Sequence, residues 1–311
     1  MRTRKIGSLE VSLIGLGCND FGGRLDAAAT RAVVDAALES GVTLFDTADV
    51  YGGGGGSEEL LGRALGSRRA EAVVATKFGA EIDEERRGAH PDHVRAACQA
   101  SLRRLGTDHI DLYQLHRPDP EVPIAETLGA LDELVREGLV RELGHSNHSA
   151  SQMDAAGAAA EGFGTAAFVC AQERYNVLER EIERGVLPAV ERHGLALLPY
   201  FPLASGLLTG KYRADQPPDA AWRLGALPED RRARHLTDAR LETVARLSVF
   251  AEDRGRTVLE LAMSWLARQS PVASVIAGAT RPEQVRANAA AADWHLTADE
   301  SADIDRITAI A

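Results

Sequence analysis

The chain has 311 residues, 45% of them hydrophobic, enough to bury a sizeable core and to fill one α/β barrel without remainder. Its formal charge of −11 and isoelectric point near 5.4 argue against a nucleic-acid or anionic-membrane surface, which basic clusters would meet, and point to a small-molecule partner. Cys18, Cys98 and Cys170 lie far apart in no metal-binding spacing and read as reduced thiols of a cytoplasmic protein. No run approaches the roughly 20 apolar residues of a membrane span, and Gly7, Ser8, Glu10 and Ser12 break up any secretory leader.

In chain order, Thr3–Ile6 and Leu9–Ser12 predict a hairpin, with Gly7-Ser8 as a two-residue turn whose leading glycine suits type II′. Short apolar runs follow at Leu13–Gly17, Thr43–Asp46, Ala72–Lys77, Ile110–His116, Val140–Ser146, Phe168–Glu173, Leu195–Phe201 and Val275–Gly278, eight candidate strands. Amphipathic stretches alternate with them at Ala27–Ser40, Ser57–Leu65, Pro91–Leu105, Ile124–Glu137, Ala150–Glu161, Ile182–His193, Val258–Arg268 and Pro282–Ala291, with an extra helix at Leu241–Arg254. Gly41, Gly138 and Gly194 suit C′ positions, Pro123 suits a first helical turn, and Thr257 with Glu260 reads as a capping box. Strict β-then-α alternation implies parallel strands with helical crossovers. Eight such units predict a (β/α)8 TIM barrel in one domain over residues 1–311, with the hairpin closing its bottom. Gly210–Asp238 lacks periodicity and reads as a long loop after the seventh strand, on the catalytic face.

Active sites of such barrels lie where strands end, so polar residues there come first. Asp46 ends the second strand, Tyr51 sits in the loop after it, Lys77 ends the third and His116 the fourth. A carboxylate beside an ammonium offsets part of the cost of burying either. The ammonium then favours a phenolate, lowering the pKa of a nearby tyrosine, which can pass a proton to a carbonyl oxygen and take it back. His116 can orient that carbonyl through its ring. Each residue alone has a plainer reading: an ion pair at strand ends, a loop aromatic, a satisfied buried histidine. Their arrival at neighbouring strand ends favours chemistry.

Phe45-Asp46-Thr47-Ala48-Asp49-Val50-Tyr51-Gly52 resembles the DTAxxYG signature of the aldo-keto reductase superfamily. Ala75-Thr76-Lys77, Asp111-Leu112-Tyr113-Gln114-Leu115-His116, Gly144-His145-Ser146-Asn147, Gln172-Glu173-Arg174-Tyr175-Asn176 and the segment from Tyr200 to Lys211 resemble its further motifs, in the family's order, from about residue 1 to about residue 290. The resemblance implies reduction of an aldehyde or ketone by NADP(H), or the reverse oxidation of an alcohol or sugar, with Tyr51 as acid, Lys77 and Asp46 tuning it and His116 orienting the substrate. It also implies that Ser146, Asn147 and Gln172 bond the nicotinamide carboxamide and Tyr200 stacks on its ring. Leu203, Ser205 and Leu207 fall in the segment over the pyrophosphate, and the adenosine end falls at Gly278, Thr280, Arg281, Gln284 and Asn288. Thr280 and Arg281 open a helix whose N-terminus favours a 2′-phosphate; the plainer reading makes Thr280 its cap.

Three departures from the family pattern stand out: Ala287 where a glutamate is common, Phe201 where serine is common, and the run Gly52-Gly53-Gly54-Gly55-Gly56. That run is read as a flexible loop beside Tyr51, with Ser57 as the following N-cap and Glu58 or Glu59 in the first turn. His145 and His148 have no cysteine or carboxylate at metal spacing, so no metal site is expected. The substrate is set by the loops Asn19–Arg24, Arg117–Val122 and Gly210–Asp238 with the C-terminal tail. Asn19, Asp20, Arg117 and Asp119 are candidates for a polar rim, and Trp222 either covers the site or anchors its loop. The alternative function is a nucleotide-binding sensor like the superfamily's potassium-channel β subunits, which an exposed apolar patch would betray. A Schiff-base role for Lys77 is opposed by Asp46, which works against the lowered pKa that a nucleophilic lysine needs. Oligomeric state has no signature here.

Overall fold

A computed structural model describes residues 1–164, 167–213 and 215–309. The barrel strands are β3 (Ile14–Gly17), β4 (Leu44–Asp46), β5 (Val73–Phe78), β6 (Ile110–Leu115), β7 (Val140–Ser146), β8 (Phe168–Arg174), β9 (Ala196–Tyr200) and β10 (Val275–Gly278). They form one parallel sheet in the order β10-β3-β4-β5-β6-β7-β8-β9. A parallel bridge from Leu197 to Val272 closes β9 onto the start of β10, with the Ala273 amide donating to Leu197 O at 2.9 Å. The helices are α1 (Ala27–Glu39), α2 (Tyr51–Leu65), α3 (Pro91–Leu105), α4 (Ile124–Arg136), α5 (Ala150–Ala160), α6 (Val186–Arg192), α7 (Glu229–His235), α8 (Asp238–Glu252), α9 (Val258–Arg268), α10 (Pro282–Ala290) and α11 (Ala298–Thr308). This is the (β/α)8 barrel that the alternation predicts.

The hairpin pairs β1 (Thr3–Ile6) with β2 (Leu9–Ser12), Ile6 opposite Leu9, around a positive φ at Gly7. Its apolar face supplies Ile6, Leu9 and Val11 to a cluster with Leu44, Ala75, Leu112, Cys170, Leu198, Ala273 and Ile276, the lumen-facing residues of the barrel. The hairpin is therefore the barrel's plug. Strand periodicity carries this inward set upward in steps of two: Leu44 to Asp46, Ala75 to Lys77, Leu112 to Gln114, Cys170 to Gln172. The same step that packs the lower barrel thus loads its mouth with polar groups. The intervening residues, Phe45, Val74, Tyr113 and Leu143 among them, face the helical layer.

Several boundaries differ from expectation. The Ile182–His193 helix is interrupted at Gly185, leaving a 3₁₀ turn at Glu181–Arg184 before α6. Gly210–Asp238 carries the short helix α7, whose seven residues show no buried face and hence no apolar period. The C-terminal α11, capped by Thr297 and Glu300, follows the last of the predicted elements. Pro123 is the N-cap of α4 rather than its first residue, whereas Thr257 and Glu260 do form a capping box. Gly41, Gly138 and Gly194 all have positive φ after their helices.

The glycine run is a built feature. Gly52, Gly53, Gly54 and Gly55 all have positive φ and make a left-handed turn ahead of the right-handed part of α2. A Cβ on Gly52 would meet Ser57 N at 2.6 Å and Phe21 O at 2.7 Å, and one on Gly55 would strike the Arg104 guanidinium. Ser57 is consequently inside α2 and is no cap. Its hydroxyl donates to Cys18 O at 2.7 Å and lies 2.8 Å from that of Thr47. Glu58 is fully buried and takes a hydrogen bond from Thr76 at 2.6 Å and an ion pair from Arg104 at 2.6 Å.

Candidate active site

At the C-terminal end of the barrel Lys77 is wholly buried, its Nζ 2.7 Å from Asp46 Oδ2 and 2.8 Å from Thr47 O. Burial alone would lower its pKa; the adjoining Asp46 charge outweighs that and holds it above the ordinary lysine value. Asp46 Oδ1 accepts from Gln172 Nε2 at 2.8 Å and Gln114 Nε2 at 3.3 Å. Gln114 is a member that the sequence reading missed, although its position two residues before His116 put it on the lumen face.

Lys77 Nζ lies 5.2 Å from the centroid of the Tyr51 ring. The expected lowering of the Tyr51 pKa is not what results: burial raises it, the Lys77 charge pulls it back, and it stays above the ordinary value. His116 meets the Tyr51 ring edge-on at 5.8 Å. Burial, Lys77 and Arg117 depress its pKa to about 3, so the ring is neutral, and its buried Nδ1 has no hydrogen-bond partner. The four candidates converge on one point.

Ser146, Asn147, Gln172 and Tyr200 adjoin them in a connected network. Ser146 Oγ donates to Gln172 O at 2.7 Å. Asn147 Nδ2 donates to His116 O at 2.9 Å, and Tyr200 OH donates to Asn147 Oδ1 at 2.7 Å. Among the described residues the non-glycine positive φ angles are those of Asn147, Phe201, Ala204 and Ser205. Such conformations cost of order 1–3 kcal/mol each and gather at functional sites; here all four fall on segments that the resemblance assigns to the cofactor.

Leu203 and Ser205 are partly exposed, but the Leu207 side chain is in the core, so only its backbone can face a ligand. Thr280 does not cap α10. The N-cap is Arg281 without any side-chain bond to the first turn, while the Thr280 N–H and hydroxyl donate to Gln284 Oε1 at 2.8 and 3.2 Å. Gly278 is exposed, Arg281 is exposed and Asn288 is buried. Lys211, absent from the candidates above, has its pKa lowered by burial and then by Arg24, Arg281 and Arg223, which gather around it. Four cations thus share one side of the mouth.

Of the rim candidates, Asp20 accepts Arg223 Nη2 on both oxygens at 2.9 and 3.1 Å, and Asp119 accepts the Ala89 and Glu121 amides. Trp222 packs edge-on against Tyr212 at 5.3 Å and serves its loop as an anchor. A cavity of about 660 Å³ between α2 and α3 is remote from all of this; two of its arginines, Arg69 and Arg104, are held by Asp111 and Glu58.

The profile of the aldo/keto reductase family matches residues 13–309. The chain belongs to the aldo/keto reductase family. Among its relatives, the aldo-keto reductase YhdN of Bacillus subtilis (strain 168) is 35% identical over 308 residues, 96% of this chain and 90% of that protein. A probable voltage-gated potassium channel subunit beta of Arabidopsis thaliana is 35% identical over 301 residues, 92% of this chain and 88% of that protein. The solved structure of a glycerol dehydrogenase from Gluconobacter oxydans superposes with a TM-score of 0.84 at 33% identity, covering 99% of this chain and 95% of that one. Membership makes this chain an oxidoreductase of carbonyl and alcohol groups, in a family that generally uses nicotinamide cofactors. Among the described residues no helix is long and apolar enough to cross a membrane.

Proposed function

We propose that the protein reduces an aldehyde or ketone with NADPH, or runs the reverse oxidation, and that its residues 1–311 form a single domain for that purpose. The observation that carries this reading is the buried Lys77–Asp46 pair beside Tyr51 and a neutral His116 at one barrel mouth. A nicotinamide cofactor bound at this mouth would supply the hydride that the carbonyl carbon takes up. Tyr51, kept protonated by its raised pKa, gives its proton to the carbonyl oxygen, and the Lys77 ammonium stabilises the phenolate left behind. Asp46 holds Lys77 in place and charged. Neutral His116, whose Nδ1 is enclosed in the protein, offers the substrate oxygen a hydrogen bond through its other ring nitrogen, Nε2.

NADPH suits the cation-rich side of the mouth. Asp20 pairs with Arg24 and Arg223, which leaves the group around Lys211 and Arg281 with a net positive charge, and the cofactor's phosphates complement it. The uncapped N-terminus of α10 beside Arg281 fits a 2′-phosphate. Ser146, Asn147, Gln172 and Tyr200 would hold the nicotinamide end, and Gln284 and Asn288 the adenosine end. With Asp20 and Asp119 engaged by the protein itself, the rim left to a polyhydroxylated or sugar-like carbonyl substrate comprises Asn19 and Arg117.

The likeness to potassium-channel β subunits favours a second reading, a nucleotide-binding sensor. Against it, the exposed large apolar side chains among the described residues are Met1 and Val249, which make no contiguous docking patch. NADPH oxidation, followed by absorbance over a panel of aldehydes, ketones and sugars beside Tyr51→Phe, separates the two. Turnover abolished in the variant with cofactor binding retained supports the reductase; tight binding without turnover on a broad panel supports the sensor.

A further inference from the structure

Behind the Ser146–Asn147 segment, on the helix side of the barrel wall, lies a buried polar group that the reaction does not use. Glu173 follows Gln172 on β8, so its side chain points away from the lumen. It is 6% exposed, and its Oε1 accepts the His148 backbone N–H at 3.1 Å, while the Asn147 N–H donates to Gln172 O at 3.3 Å. His148 Nδ1 lies 3.0 Å from Ser146 O, and the His145 ring packs on that of His148 at 4.3 Å.

The segment held this way needs holding. Asn147 is left-handed at φ 61°, a conformation that a non-glycine residue keeps only when its surroundings over-determine it. Its side chain joins three strands at once, through His116 O, Ser146 Oγ and Tyr200 OH. A helix-side acceptor that fixes the backbone at 147–148 therefore fixes where the Asn147 amide stands at the mouth.

We propose that Glu173 is a positioning residue for cofactor recognition: its buried carboxyl accepts the backbone N–H of His148, directly after the strained Asn147, and so holds Asn147 in the orientation that meets the nicotinamide amide. The role of Asn147 in this statement rests on the reading given under Proposed function. A buried acceptor fits the task because a backbone N–H left without one in this dry layer costs more than the bond returns when made.

The test uses the whole protein with Glu173→Ala and Glu173→Gln, titrated with NADPH by fluorescence and followed by hydrogen exchange of the peptide spanning 145–149 in the cofactor-free state. Glu173→Ala should raise the NADPH dissociation constant on the order of tenfold and expose the His148 amide to exchange. Glu173→Gln keeps an acceptor oxygen and should restore both, with the KM for the carbonyl substrate little changed in either variant. The proposal is overturned if folded Glu173→Ala keeps wild-type protection at His148, or if Glu173→Gln fails to recover cofactor affinity while matching wild-type stability. A wild type that does not bind NADPH would defeat the functional reading instead, and the exchange comparison on the free protein would still decide whether Glu173 holds the segment.

Discussion

The Lys77–Asp46 pair allows a quantitative test. In Asp46→Asn, the Lys77 ammonium, with no exposed surface, loses its counter-charge and keeps only neutral acceptors, Thr47 O and the new amide oxygen. An uncompensated buried charge costs about 3–5 kcal/mol. In Lys77→Met, the Asp46 carboxylate still receives two amide N–H groups, from Gln172 and Gln114, so the cost should be smaller, about 2–3 kcal/mol. With both replaced, no charge remains, and neutral groups of similar volume should return stability to within about 1 kcal/mol of wild type. Equilibrium urea denaturation of the four proteins closes the double-mutant cycle. At a slope of about 3 kcal/mol per molar, Asp46→Asn should lower the midpoint by about 1–1.7 M and the double variant should regain most of it. Turnover should be lost in all three variants. If Asp46→Asn proves as stable as wild type, or the double variant is no better than the worse single one, the pair is not a mutually compensated buried charge and the argument fails.

Stability should also fall on both sides of a maximum between about pH 5 and 7. His116, His145 and His148 are buried with depressed pKa values, so the stability they contribute is complete above the unfolded value of about 6.5 and is lost as pH falls below it. Glu173, pushed up to about 8, and Asp49, to about 7, contribute stability that is full below the unfolded carboxylate range and lost as pH rises toward those values. A scan of urea midpoints that stays flat from pH 4 to 6.5 would contradict this account. In the glycine run, Gly52→Ala and Gly55→Ala meet both positive φ and a collision and should destabilise by more than 2 kcal/mol, whereas Gly53→Ala, with nothing near its Cβ, should cost only about 1 kcal/mol; thermal melts giving three equal losses would remove the collision argument. Arg281→Ala should weaken NADPH binding about tenfold and leave NADH unaffected, and an equal loss for both nucleotides in a titration would take the 2′-phosphate away from Arg281.

Much of the fold and of the mouth was legible because both follow from local periodicity. The period of two that makes Leu44, Ala75, Leu112 and Cys170 a core also sets Asp46, Lys77, Gln114 and Gln172 above them, and stop signals such as Gly138 depend on a single residue's φ. What the sequence by itself determined was therefore the alternation of elements, the plugged parallel barrel and the identity of the residues at its strand ends. Tertiary structure decided the rest, because the deciding partners are distant in the chain. The Tyr51 pKa turned on burial outweighing a neighbouring charge. The glycine run took its shape from Phe21 and Arg104, the cation cluster from loops nearly 260 residues apart, and Glu173 its role from an amide 25 residues upstream. Periodicity tells which way a side chain faces; only the closed barrel fixes what it faces.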